Sequence, residues 1–183
     1  DRDRHFLESM DRILEKNYIP SLEDISQCYS MTTRAVQEFI DVNGKSITLV
    51  DFGGRRPHRT SWIDWFPNAG LVIFVASLSD YNEVLAEDQK TNTLRESLDV
   101  FDMIINSCTY PRFFLSGPLF LNKMDVFARK LQTIPMKDYF PDYSGGDDFD
   151  AGCNYIMSQF SALNNRGRDL EIYFTSATST AQI

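Results

Sequence analysis

The order of apolar and polar positions divides the chain into helical and extended stretches. Phe6, Met10, Ile13 and Leu14 recur at helical spacing, so residues 3–16 are predicted to form one amphipathic helix. Pro20 breaks it. The following SLED, Ser21–Asp24, has the [ST]-x-x-[DE] form of a capping box and predicts a short helix from about Ser21. The chain is then polar and irregular as far as Arg34. AVQEFIDV reads as a strand, Asn43-Gly44 as a hairpin turn and SITLVDF as the returning strand. LVIFVASLS is a continuous apolar run, the pattern of a strand buried on both faces. Leu94, Leu98, Phe101 and Ile105 trace a helix face, and PLFLNKMD is a further apolar run ending in polar residues. Ile156, Phe160 and Leu163 mark a later helix, and EIYFTSAT a last strand. Strands alternating with helices predict an α/β fold with a parallel sheet, in which ligands bind at the C-terminal strand ends. DFGG, SLSD, NKMD and TSAT all fall there, which predicts four polar loops on one edge. Gly117 and Pro118 fit poorly inside a central strand, because proline removes a ladder hydrogen bond.

Composition narrows the classes. Among 183 residues, 43% are apolar and 13% aromatic, which predicts a globular domain with a sizeable core. Eighteen basic against 26 acidic residues leave a net charge of −8, against a sequence-independent nucleic-acid binder, and no nucleic-acid partner is expected. A few local donors can still hold a phosphate. Cys28, Cys108 and Cys153 include no C-x-x-C pair, DRDRHFLESM is not a signal peptide, and the apolar runs are too short to span a bilayer. A reduced, cytoplasmic setting is expected. The chain begins without methionine and stops at TAQI, so a piece of a longer protein is also expected.

Two of the polar loops suggest chemistry. In DFGGRRPH a carboxylate, Asp51, ends a strand and two glycines follow, and glycine lets backbone N–H groups approach an anion closely. In NKMD, Asn122 can orient a loop, the stem of Lys123 can cover a ring, and Asp125 can accept two N–H groups. That set suits guanine and does not match adenine, and TSAT one strand later strengthens it.

From end to end the sequence resembles the alpha subunit of a heterotrimeric G protein. ILEKNYIPSLEDI is similar to the last helices of that family's helical domain, and MTTRAVQEF to switch I and the strand after it. DFGGRRPHRTSWIDWF resembles switch II, with Trp62 at the family's tryptophan position. SLSDYNEVLAEDQKTNTLRESLDVFDMI resembles switch III and the next helix, and FLNKMD and FTSAT the two guanine motifs. The resemblance implies a Ras-like P-loop GTPase fold, here incomplete, with the end of the helical domain at 1–26 and a partial Ras-like domain at 27–183. It implies GTP or GDP as ligand and Mg2+ as cofactor. It implies a beta-gamma dimer, a seven-helix receptor and an effector as partners, at the inner face of the plasma membrane when part of a heterotrimer. Asn122, Lys123, Asp125 and Ala177 would hold guanine. Thr32 would ligate magnesium and Asp51 would support it, while Gly53 and Gly54 would line the gamma phosphate, Gly54 offering its N–H. Trp62 and Phe66 would pack on a partner or in the core.

Several positions depart from the family. The residue after the glycines, glutamine in the family, is Arg55, and the switch I arginine three residues before the magnesium threonine is Tyr29. The glycine after the two threonines is Arg34. Alpha subunits are the standard case of an arginine acting in cis, and across this class of enzymes such an arginine contributes about 10³–10⁵ in rate. Substitution at Tyr29 and Arg55, the two catalytic positions, therefore predicts slow or absent hydrolysis. No G-x-x-x-x-G-K-[ST] occurs in the 183 residues, most of the helical domain and the C-terminal helix have no counterpart, and two residues are missing within EIYFTSAT. A degenerate, non-hydrolysing relative that binds beta-gamma or an effector is the alternative to a GTP/GDP switch.

Overall fold

The computed structural model describes residues 2–28, 32–66, 69–106 and 117–177. The chain forms two compact units, Asp1–Trp65 and Phe66–Ile183.

In the first unit the predicted 3–16 helix is two short helices, α1 (Arg2–Glu8) and α2 (Met10–Ile13), separated at Ser9. Its apolar residues find too little to bury against: Met10 is 45% and Leu14 74% exposed. A polar cluster supplies the fixation instead. Helix α3 (Leu22–Gln27) opens with the predicted capping box, the Ser21 hydroxyl accepting from the Asp24 N–H while Asp24 accepts from the Ser21 N–H. The Asp24 carboxylate, 1% exposed, also takes two bonds from the Arg12 guanidinium, at 2.8 and 2.7 Å, and lies 2.9 Å from His5 Nε2. The Arg12 guanidinium first of all, then Ser21 and His5, hold this carboxyl well below the usual carboxylate range. Glu23, 3.8 Å from His5, and Tyr18, beneath Arg12, complete the charged surroundings.

The sign of the linkage follows. A carboxylate whose pKa is lower in the folded state stabilises that state fully above its unfolded pKa of about 3.9, and this contribution is lost as pH falls toward the folded value. Asp24→Asn should therefore lower the stability of the first unit at pH 7, and the gap from the parent should narrow as pH drops below about 4. Acid unfolding of both proteins, followed by tryptophan emission from Trp62 and Trp65, measures this. A gap that is constant with pH would mean that Asp24 acts through shape and not charge.

Strands β1 (Val36–Val42) and β2 (Lys45–Asp51) form the predicted antiparallel hairpin, in register from Val36↔Asp51 to Val42↔Lys45. Asn43 and Gly44 both have positive φ, 54° and 76°, as a two-residue type I′ turn requires. The Gly44 N–H donates to Asp41 Oδ1 at 3.0 Å. The ribbon exposes apolar residues, Phe39 being 74% accessible. A 3-10 turn (Arg56–Ser61) and the single-turn helix α4 (Trp62–Trp65) follow.

The second unit holds a three-stranded parallel sheet in the order β3 (Phe74–Ser77), β4 (Leu119–Asn122), β5 (Ile172–Phe174). Phe74, Leu119 and Ile172 stand in one row. Ala76, Leu119 and Leu121 point into a core completed by α5 (Thr93–Ile105), α6 (Met124–Leu131) and α7 (Phe149–Ala162). Leu94, Phe101 and Ile105 come from α5, Phe127 and Leu131 from α6, and Ile156 and Phe160 from α7. Asn92 and Asp148 cap α5 and α7, accepting from the N–H groups of Arg95 and Ala151 at 3.0 and 2.7 Å.

Three expectations need correction. LVIFVASLS contributes only Phe74–Ser77 as strand, and it is not buried on both faces: Ala76 is 3% exposed but Val75 is 60%. Burial alternates because, among the described residues, helices cover one face and β3 pairs only with β4. Gly117-Pro118 does not interrupt a strand. It precedes β4, where the proline carbonyl accepts from the Phe74 N–H at 3.1 Å and a Cβ on Gly117 would run into the Val72 carbonyl. Finally, SLSD, NKMD and TSAT share one sheet edge, but DFGG does not, because β2 belongs to the separate two-stranded sheet.

Candidate functional site

The clearest constellation lies where β4 and β5 end side by side. Lys123 follows β4 in the left-handed region, φ 64°, ψ 38°, and turns the chain sharply into α6. Few non-glycine residues adopt that conformation, and here it brings the side chains of NKMD against the loop after β5. The Thr175 N–H donates to the Leu121 carbonyl at 2.9 Å, and the Met124 N–H to the Thr175 carbonyl at 3.2 Å. Asn122 Oδ1 accepts from the Ala177 N–H at 3.1 Å and from the Thr175 hydroxyl at 3.2 Å. The Ser176 hydroxyl donates to Asp125 Oδ1 at 2.5 Å.

Each predicted residue thus has a distinct mechanical position. Asn122 is the orienter, tying both loops together through one oxygen. Asp125 has one oxygen held by Ser176 and the other 3.6 Å from Arg129, and its side chain remains 39% exposed, so a held carboxylate faces solvent. The half-exposed Lys123 ammonium lies 3.7 Å from Asp80, which also accepts from the Ser77 and Ser79 hydroxyls at 2.7 and 3.2 Å. An aligned carboxylate and a lysine stem beside a backbone turn can bind a planar heterocycle with adjacent N–H donors. Asp80 gives the SLSD loop a concrete part, which sequence reasoning located only as a loop. Spacing carried no sign of Ser176 as the carboxylate's partner.

The first unit assembles the other predicted set. The Thr32 hydroxyl donates to Asp51 Oδ2 at 3.0 Å, so these two oxygen-bearing side chains are adjacent across 19 residues of sequence. Gly53 is buried, and a Cβ there would collide with the Thr32 carbonyl and come within 3.1 Å of the His58 Cβ. Glycine at 53 is what lets the segment around Thr32 lie against DFGG. The Gly53 carbonyl accepts from the Trp62 indole N–H at 3.3 Å, and the Gly54 carbonyl from Arg59 Nε at 3.0 Å. Arg59 lies 6.0 Å over the Trp62 ring. Arg55 is exposed, and its carbonyl accepts from the His58 N–H at 2.9 Å, starting the 3-10 turn. Trp62 is half-buried and Phe66 is buried, 6% exposed. Tyr29, which the resemblance pairs with Arg55 as a catalytic position, lies outside the described residues.

Comparison with known proteins places the chain in a family. The profile of the family described as G-protein alpha subunit matches residues 1–183, the whole chain. The chain is 41% identical over 181 residues to the guanine nucleotide-binding protein alpha-2 subunit of Kluyveromyces lactis, covering 98% of this chain and 32% of that one. It is 41% identical over 180 residues to the protein of the same name from Saccharomyces cerevisiae, covering 98% and 40%. A guanine nucleotide-binding protein subunit alpha of Cochliobolus heterostrophus is 38% identical over 186 aligned positions, covering 100% and 52%. The chain therefore spans about half the length, or less, of these curated relatives. Family membership carries a Ras-like GTPase fold, to which the mixed α/β architecture and the joined NKMD and TSAT loops correspond. With that match spanning the whole chain, this chain belongs to the G-protein alpha subunit family.

Proposed function

We propose that this chain is the guanine-recognising and switch-bearing part of a G-protein alpha subunit, acting as a GTP/GDP switch that passes signals from a seven-helix receptor to an effector. The observation that carries the reading is the bonding of Asn122 to Ala177 and of Ser176 to Asp125, which prepares a carboxylate for the two N–H groups of guanine. Lys123 covers the ring with its stem. The domain reading is the end of the helical domain at 1–26 and a partial P-loop domain at 27–183. Partners are a beta-gamma dimer through switch II, the receptor and the effector, at the inner face of the plasma membrane.

Thr32 and Asp51 fit Mg2+ by donor chemistry: a hydroxyl and a carboxylate, both hard oxygen ligands, already in contact. Magnesium, when bound, neutralises charge on the phosphates. Thr32 would ligate it directly and Asp51 through water. Gly53 keeps the Thr32 segment close, and Gly54 would offer its N–H to the gamma phosphate. Tyr29 and Arg55 replace the family's catalytic Arg and Gln, so hydrolysis is slow. That same pair favours the second reading, a non-hydrolysing module that binds beta-gamma or an effector.

The experiment is a base-specificity swap. Asp125→Asn replaces two acceptors by one acceptor and one donor, which mismatches guanine and matches xanthine. GDP binding by the parent, followed by NMR up to millimolar nucleotide because the phosphate-loop motif is not in these 183 residues, should weaken about 100-fold on substitution, while xanthosine diphosphate gains. Equal binding of both nucleotides by parent and variant would sink the assignment.

A further inference from the structure

We propose that Lys130 is a positioning residue for guanine recognition, holding α6 so that Asp125 meets the base; this rests on the guanine-nucleotide reading above. Lys130 lies in the last turn of α6, five residues beyond Asp125. Its ammonium donates to the Ser79 carbonyl at 3.0 Å, to Asn82 Oδ1 at 2.8 Å and to the Glu83 carboxylate. An ammonium has three N–H donors, so all are engaged, and all three acceptors lie on the one loop that leaves β3. The side chain is 23% exposed, which strengthens these charge-assisted bonds relative to a surface pair.

That loop meets α6 along its whole length. Asp80 faces Lys123 at its start, the Tyr81 ring packs edge-on against Phe127 with centroids 5.6 Å apart, and the Tyr81 hydroxyl donates to the Ile134 carbonyl at 2.8 Å just beyond its end. Burial pushes the Tyr81 hydroxyl up to about 12, so it stays a donor. A helix of eight residues has little intrinsic stability, and its direction is set by what clamps it. The first turn carries Asp125, one oxygen of which is bonded to Ser176 on another element. A tilt of α6 therefore changes where the other oxygen points. Lys130 is a saturated, charged clamp on that tilt.

The test compares GDP with inosine diphosphate, which lacks the 2-amino group, using NMR titration of the 183-residue chain. The parent should prefer GDP by roughly tenfold or more, the value of a hydrogen bond to a charged acceptor. Lys130→Met keeps the stem and loses the donors; it should cut the preference to about threefold or less. Lys130→Arg, which keeps the charge, should retain most of the preference, and Glu83→Gln should fall between. If Lys130→Met does not fold, the Arg and Glu83 variants carry the comparison. A lower melting point with an unchanged GDP preference in all three variants makes Lys130 a structural strut only and overturns this inference alone. A parent that does not distinguish the two nucleotides overturns the guanine reading, and this inference with it.

Discussion

Tyr29→Arg and Arg55→Gln together should raise single-turnover GTP hydrolysis by about 10³-fold or more, in the chain joined to a phosphate-loop segment from a relative. The reason is electrostatic. The leaving and transferring oxygens gain charge in the transition state, and a guanidinium fixed beside them stabilises that charge where water cannot screen it. Tyrosine at 29 offers a neutral hydroxyl. In the proposed mechanism position 55 orients water, which an amide does with a donor and an acceptor and a guanidinium cannot, having donors only. Arg55 is exposed and its carbonyl is committed to the turn at His58, a position suited to a solvated side chain. Each single variant should recover less than the pair, because the two groups act on one transition state. If the unsubstituted joined protein already hydrolyses GTP as fast as the intact relative assayed alongside, Arg55 is itself supplying the charge.

Phe160→Ala should destabilise the second unit by about 3–5 kcal/mol, a large share of the 5–15 kcal/mol that holds a typical domain together. Phe160 is fully buried on α7, edge-on to Phe101 of α5 at 5.3 Å and 6.4 Å from Phe74 of β3. One ring thus joins two helices and the sheet, and its removal leaves a cavity that three separate elements would have to collapse around. Phe160→Leu, which keeps most of the volume, should cost under about 1.5 kcal/mol. Urea unfolding of the variants, followed by circular dichroism and by the amides of β4, gives the difference. Two midpoints equal to the parent's would place Phe160 outside the cooperative core.

Elements whose signal is local were legible in the chain. Asn43-Gly44 requires positive φ at both positions, which few other pairs tolerate, and the hairpin forms in that register. Ser21 and Asp24 form their box because both partners lie within one helical turn. Phe101 and Ile105, and Ile156 and Phe160, are core because a 3.6-residue period aligns them on one face. The residue types at the site were legible for the same reason: NKMD and TSAT name acceptors and donors that a strand end presents.

Tertiary structure decided what depends on partners distant in sequence. The run LVIFVASLS looks uniformly apolar, yet only the packing of helices on one face selects Ala76 for burial and leaves Val75 exposed. The 3–16 pattern is helical by period, but the chain breaks at Ser9, Leu14 is 74% exposed, and Arg12 is tied to Asp24. The work of Ser176, Asp80 and Lys130 was equally out of reach, since each acts on a residue 43 or more positions away. Local sequence was enough for the family, the Asn43-Gly44 turn, the Ser21 capping box and the residue types offered at the strand ends. Only the fold decided which faces are buried and which side chains hold that chemistry in place, because burial and long-range hydrogen bonding depend on neighbours that periodicity along one chain does not specify.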